Sequence, residues 1–475
     1  VLNSVRINPK QFSPTFEHYG DTFSSRGFFR ALGNTLWLAT GATLLSLVLG
    51  GSLAFLSQRT DIFFRKAIRA LVLLAFTIPS YIMGVAWIQL LGNKGLLSFV
   101  PFPIYSLPGV GWVMALHLYP MAFLGISSAL KRVDFSSEEA ARLDGCSHFQ
   151  VFSRVVFPVI LPSVLSLAVF IFARSVACFG VAALLALPSR EYILSTFIYR
   201  SLSTLELEKA VTVSVVMMTL TVLLFLVEWK LSRNVSSENG FGQSGKTTVK
   251  LKKWRVPVFL GVNIFFLVTL FLPLLSTTMT ALVKSWGMDW KAGNFTFSHF
   301  VQLFDRNGPY LIAMKNSLLF GVFTASGAVV LSLGALFVVN RTRARVGPFL
   351  SLLCTLPAAI PEIILAMAAI FAWMNPPLRL YNTPWILFLG YLVPAIPFAF
   401  KNLSGLIHHI PYTFEEMAMV QGASRAQAFR RITLPQLSPG IRAGWILGFL
   451  FVLREIPISI LLYSPGNETI GVRMF

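Results

Sequence analysis

EEAARLDGCSHFQVFSRVVFPVILP occupies residues 138–162, and EEMAMVQGASRAQAFRRITLPQLSP occupies 415–439. Aligned without a gap, Glu138, Glu139, Ala141, Gly145, Ser147, Gln150, Phe152, Arg154, Pro158 and Pro162 recur as Glu415, Glu416, Ala418, Gly422, Ser424, Gln427, Phe429, Arg431, Pro435 and Pro439. A match of this length marks an internal repeat, and a repeat organises the fold around it. Its chemistry is that of helix ends. Ser136 with Glu139, and Thr413 with Glu416, fit the S/T-x-x-E capping box at a helix start. Gly145 and Gly422 stand where a two-turn helix ends in a left-handed residue. Ser147 with Gln150, and Ser424 with Gln427, open a second helix, which Pro158 and Pro435 are expected to stop or kink. The spacing therefore predicts helix, glycine turn and helix, twice.

The chain around these copies is too apolar for water. Of 475 residues, 55% are hydrophobic and 12% charged, with a mean hydropathy of +0.71; soluble domains carry about 25% charged residues. A single core cannot hide that much apolar surface at this length, whereas a bilayer can. Soluble enzyme, disordered chain and fibrous protein are excluded. Three cysteines, Cys146, Cys178 and Cys354, make no disulfide framework, and no Cys/His spacing fits a structural zinc.

Ten stretches are long enough to cross, near 34–56, 66–91, 107–130, 160–186, 209–229, 256–281, 316–340, 349–374, 382–405 and 440–462. If they alternate, one side collects Arg59, Arg65, Lys66 and Arg69; Lys131, Arg132, Arg142 and Arg154; the Lys230–Arg255 connection; Arg341, Arg343 and Arg345; and Lys401, Arg425, Arg430 and Arg431. That excess makes this side cytoplasmic. The +20 net charge and pI near 10.2 are thus mostly topology, with membrane lipid the surrounding partner and no nucleic acid required. FEHY at 16–19 echoes FSHF at 297–300, and Asn34 opens a span as Asn316 does. One repeat contains an even number of crossings, six, so the halves are parallel rather than inverted. The expected fold is an all-α polytopic membrane protein with a first half at 1–230, a cytoplasmic linker at 231–255 and a second half at 256–475. Twelve spans are expected and ten are visible, since nothing precedes Val1 to match 256–281 and nothing follows Phe475 to match 209–229. A start at Val, with no signal peptide, agrees with trimming at the N-terminus.

Two rigid, near-identical elements on one membrane side suit docking into two equivalent sites on a dimeric partner. These residues also resemble a known family. The pattern E-A-A-x3-G-x9-I-x-L-P is similar to the cytoplasmic loop of permease subunits of binding-protein-dependent ABC importers. Copy one meets it with Glu139, Ala140, Ala141, Gly145 and Pro158, with Val155 and Phe157 for the Ile and Leu. Copy two meets it with Glu416, Ala418, Gly422, Ile432, Leu434 and Pro435, with Met417 for the first Ala. IPSYIMGVAWIQLLG (78–92), FARSVACFGVAALL (172–185) and LREIPISILLYSPGNET (453–469) resemble the fused ferric-iron type, with thiamine, aminophosphonate and polyamine importers as alternatives. The resemblance implies a type I importer permease in a bacterial inner membrane. Two copies of a cytoplasmic ABC ATPase would dock on the loops, holding ATP and Mg²⁺, and a periplasmic substrate-binding protein would deliver cargo. The chain itself would bind no cofactor and catalyse nothing. A secondary transporter run on an ion gradient is the rival, since it too can have two parallel six-span halves.

GFGQSGKT at 240–247 is a literal phosphate-loop match. Without a strand before it or a helix after it, it reads as a Gly/Ser-rich connector. Ionisable residues within spans usually face a cavity or a partner. Arg174, expected near mid-depth, with Glu362, Arg454 and Glu455, are the candidates for the translocation pathway; the structural alternative is an ion pair between spans, or Arg454 reaching outward. The six histidines, His18, His117, His148, His299, His408 and His409, show no ligand spacing, and no resident metal site is expected.

Overall fold

The computed structural model describes residues 6–8, 11–14, 17–237, 249–287, 292–305, 308–341, 346–407 and 410–475. The GFGQSGKT stretch, His408, His409, Arg343 and Arg345 lie outside them. Two compact units divide the chain at Phe297 and Ser298.

In the first unit a short antiparallel pairing of Arg6–Asn8 with Gln11–Pro14 precedes the helices. These are α1 (Glu17–Ser24), α2 (Arg26–Arg59), α3 (Arg65–Thr77), α4 (Ser80–Leu91), α5 (Leu107–Arg132), α6 (Phe135–Leu143), α7 (His148–Val176), α8 (Gly180–Leu185), α9 (Leu194–Ser203), α10 (Leu207–Ser237) and α11 (Lys252–Ala281). The second unit holds α12 (Ser298–Leu303), α13 (Pro309–Arg341), α14 (Gly347–Thr355), α15 (Glu362–Trp373), α16 (Pro384–Ile407), α17 (Thr413–Val420), α18 (Arg425–Gln436), α19 (Ser438–Arg454), α20 (Pro457–Leu462) and α21 (Ile470–Met474). Among the described residues, seven helices are long and apolar enough to cross a membrane, and three bent pairs raise the number to ten. The repeat assigns α11 to the second half, yet α11 packs in the first unit. Its Phe265 meets Tyr119 of α5 edge-on at 5.5 Å, and Val262, Phe266 and Leu270 join that unit's core.

Two expected spans are broken rather than straight. α3 and α4 bend by 97°, and the pair Gly347–Ala359 and Glu362–Trp373 bends by 113°. Proline causes both. Ile78 and Ile360 precede Pro79 and Pro361, and each is extended, at ψ 125° in both cases, because the following ring disfavours the helical region. Both bent pairs must still cross. Arg59, at the end of α2, donates to the Leu130 carbonyl near the end of α5 at 2.8 Å, so those ends share one face. At the other face Asn34 donates to the Tyr192 carbonyl, and Glu191 accepts from the amide of Leu107, the first residue of α5. α2 and α5 therefore run in the same direction, and α3–α4 carries the chain back between them. In the second unit, Asn316 of α13 donates to the Gly466 and Glu468 carbonyls, while Ala335 and Leu336 cluster with Leu403 and Ile407 of α16. Leu194 N–H bonds Thr35 as Ile470 N–H bonds Ser317, so the repeat extends to these clips.

Prolines also explain a correction within the repeat. Pro158 does not stop a helix: His148–Val176 runs through it as one span. The turn before it widens instead, with Phe157 N–H bonded to the Phe152 carbonyl, five residues back. Leu434 to Phe429 before Pro435, and Leu272 to Leu267 before Pro273, do the same. A wide turn accommodates the missing amide and the bulk of the ring. Copy two does bend, by 71°, but at Leu437 rather than at Pro435.

α2 and α5 approach closely because small residues let them. A Cβ at Gly50 would lie 2.5 Å from the Tyr119 carbonyl oxygen and 2.6 Å from Ala122 Cβ, whereas one at Gly41 meets nothing within 4 Å. Gly50→Leu should therefore destabilise the purified protein by at least about 1–3 kcal/mol through overpacking, and Gly41→Leu should leave its thermal midpoint unchanged.

Candidate functional site

The two copies of the repeat build nearly the same object. Gly145 and Gly422 have φ of +83° and +92°. Behind them Cys146 N–H bonds Ala141 O and Gly145 N–H bonds Arg142 O, matched by Ala423 to Ala418 and Gly422 to Met419. This is the paired bonding of a Schellman end, which a Cβ at the glycine would strain. Both second capping boxes form: Gln150 N–H bonds Ser147 Oγ while Ser147 N–H bonds Gln150 Oε1, and Gln427 with Ser424 repeats this. The first pair of boxes does not form. α6 starts two residues earlier than the Ser136 box requires, and Asp134 caps it by accepting Ser136 N–H and the Ser136 hydroxyl. α17 has no side-chain cap; the amides of Glu415 and Glu416 turn to the Tyr412 carbonyl. Hydroxyl and carboxylate spacing alone cannot fix which residue begins a helix when an aspartate stands two positions ahead.

In both copies the same member of the glutamate pair faces inward. Glu139 and Glu416 are exposed, as are Ala140, Gly145, Pro158, Gly422 and Pro435; Ala141 and Ala418 are half-buried. Glu138 and Glu415 are the buried members, each 3% exposed. Neighbours on a helix point about 100° apart, so only one of each pair can face the spans. Glu138 meets Arg59 Nη1 at 2.7 Å, and Glu415 accepts from the Thr433 hydroxyl. The sequence reading missed Glu138, Glu415, Arg59 and Thr433. Their signal was present: the glutamates are duplicated, and Arg59 ends an apolar helix.

Arg59 is a junction. Beyond Glu138 and the Leu130 carbonyl, its own carbonyl accepts Val249 N–H at 2.8 Å, where the connection between the halves returns to the first unit. Asp61 then accepts Leu251 N–H at 2.8 Å, with Arg255 at 3.9 Å and lying over the Phe63 ring. The Leu251 amide foremost, with Arg255 behind it, holds the Asp61 carboxyl below its usual range.

The outward side of each loop is apolar at its tip. Leu143 and Val420 occupy the same repeat position and are 88% and 89% exposed. Phe149, Phe414 and Met417 add to this surface, and a cavity of about 370 Å³ opens beside α17, lined by Phe414, Met417, Ala418, Gln421, Ile432 and Gln436. Apolar side chains held out at the ends of rigid turns mark a surface awaiting a partner.

Each of the four span charges stands at a helix end. Arg174 is exposed in the last turn of α7, which ends at Val176. Glu362 is the first residue of α15, just after the bend, and Arg454 is the last of α19. Glu455 is buried and accepts from the amides of Ile458 and Ser459, capping α20, while the Ser459 hydroxyl pairs with Tyr391 Oη at 2.7 Å. Among the described residues no group of three or more His, Cys, Asp or Glu could hold a metal ion.

Breaking a buried ion pair strands a charge and costs about 3–5 kcal/mol, whereas replacing both partners by apolar residues is often neutral. Arg59→Met and Glu138→Met should each lower the stability of the purified protein by that order. The double variant should recover most of the loss, measured in a double-mutant cycle.

Comparison with known proteins agrees with this geometry. The family model described as the inner membrane component of binding-protein-dependent transport systems matches residues 42–235 and 317–474. An ABC transporter permease protein of Sinorhizobium fredii is 25% identical over 96% of this chain and 83% of its own length. A Fe(3+)-transport system permease protein of Haemophilus influenzae is 23% identical over 94% and 83%. A Salmonella typhimurium protein named for 2-aminoethylphosphonate transport is 28% identical over 47% of this chain and 83% of its own. With broken spans, a duplicated helix–glycine–helix loop and a family match across both halves, the chain belongs to the inner membrane permeases of binding-protein-dependent ABC importers.

Proposed function

We propose that this chain forms the translocation pathway for a small solute, and that two copies of a cytoplasmic ABC ATPase grip its two inner-face loops. The exposed apolar tips Leu143 and Val420, at one repeat position on two rigid turns, carry this reading. Glu139, Ala140, Ala141, Gly145 and Pro158 form the coupling surface of copy one; Glu416, Ala418, Gly422 and Pro435 form that of copy two. ATP and Mg²⁺ belong to the partner, and a periplasmic binding protein presents the cargo.

Movement enters the membrane through the buried side of each loop. A displaced α6 pulls Glu138 against Arg59 and hence α2 and α5; a displaced α17 acts through Glu415 on Thr433 and the helix leading into α19. Dimerisation of the ATPases favours one pathway conformation and their release the other, which is a population shift set by differential contacts. Ferric iron is the leading cargo, supported by the Haemophilus influenzae relative; an aminophosphonate is the alternative the Salmonella typhimurium relative supports. Arg174, Glu362, Arg454 and Glu455 are the pathway candidates, although the bonds of Glu455 to α20 account for its burial structurally.

Leu143→Glu with Val420→Glu should leave the protein in the membrane, abolish co-purification of the ATPase and reduce uptake at least tenfold, about the effect of losing 1.4 kcal/mol. Charge reversal at Glu139 and Glu416 should uncouple ATP hydrolysis from uptake. Unchanged co-purification and uptake in all these variants would remove the coupling assignment. Uptake that survives ATP depletion and collapses with the proton gradient would favour the ion-gradient transporter.

A further inference from the structure

The first unit contains a further cavity of about 370 Å³. It lies between the end of α4 with its following turn, the last turns of α11, and residues 283–287. Gln89, Lys94, Ser98, Ser276, Thr280 and Ser285 supply its polar lining, and no carboxylate lines it among the described residues. Gln89 Oε1 is buried and meets no donor among the described residues. An orphan acceptor of this kind costs about 1–3 kcal/mol, so the cavity calls for an occupant with an N–H or O–H. Lys94 calls for an anion. Its stem is held against the turn by Gly287, at φ +84°, where a Cβ would lie 2.5 Å from Lys94 Cδ.

The surroundings distinguish a lipid from a free solute. Trp286 lines the cavity and is 43% exposed, and Phe271 and Leu275 of α11 are exposed just below it in the span. An indole at the end of a span sits at head-group depth, with apolar helix surface continuing toward the bilayer centre for acyl chains. We infer that this cavity holds the phosphodiester head group of an outer-leaflet phospholipid that carries its own donor, ethanolamine or glycerol: Lys94 pairs the phosphate and Gln89 accepts from the head group. A choline head has no such donor.

The test uses the full chain in neutral detergent, read by thermal midpoint and by native mass spectrometry. Added phosphatidylethanolamine or phosphatidylglycerol should raise the midpoint and remain bound, and phosphatidylcholine should do so about tenfold less well, the worth of one hydrogen bond to a charged group or buried acceptor. Lys94→Met should abolish retention of both lipids. Gln89→Leu should remove the preference over choline while leaving the lipid-free protein at least as stable as the parent. Equal retention of the choline lipid by the parent chain overturns the inference, as does a preference that survives both substitutions. Stabilisation by inorganic phosphate alone, equal to that by lipid, assigns the cavity to a free anion and also overturns it.

Discussion

A guanidinium buried at the C-terminal end of the second helix ties together the ends of α2, α5 and α6. Arg59 is 6% exposed and Glu138 3%; taking either charge out of water unpaired is costly. The pair therefore fixes three things at once. It brings the ends of α2 and α5 to one face, it orients α6 so that Glu139 and Leu143 turn outward, and it leaves the Arg59 carbonyl to receive the Val249 amide. The direction of the spans, the presentation of the loop and the course of the linker all depend on it.

The second half also buries one glutamate of its pair: Glu415 lies as deep as Glu138, and the Thr433 hydroxyl on the following helix is among its partners. The tips match, with Leu143 and Val420 equally exposed and both glycine turns left-handed.

The sequence made the class of fold plain because composition and periodicity are summed over many residues. The ten crossings and the glycine turns followed from apolar length and from Gly145 and Gly422 alone. Three features escaped it for local reasons. Pro79 and Pro361 lie inside the expected spans 66–91 and 349–374, where, with an extended residue ahead of each, the helix breaks by about a right angle. Pro158 was expected to interrupt a helix that instead absorbs it in a wide turn. Of two adjacent glutamates, which faces inward depends on the packing of the helix and not on its cap: Asp134 caps α6 and no side chain caps α17, yet Glu138 and Glu415 are both buried. The buried partners of Glu138 and Glu415 come from the second helix and from beyond the glycine turn, and spacing within the repeat carries no information about either.

The central claim is that both tips are on the inner face and are covered by a separate ATPase. In a chain whose Cys146, Cys178 and Cys354 are replaced, single cysteines at 143 and 420 can be labelled in inside-out membrane vesicles with a membrane-impermeant maleimide. The account predicts rapid labelling at both positions without the ATPase and protection of both when it is bound. Labelling only from the outer side, or labelling indifferent to the ATPase, would contradict it.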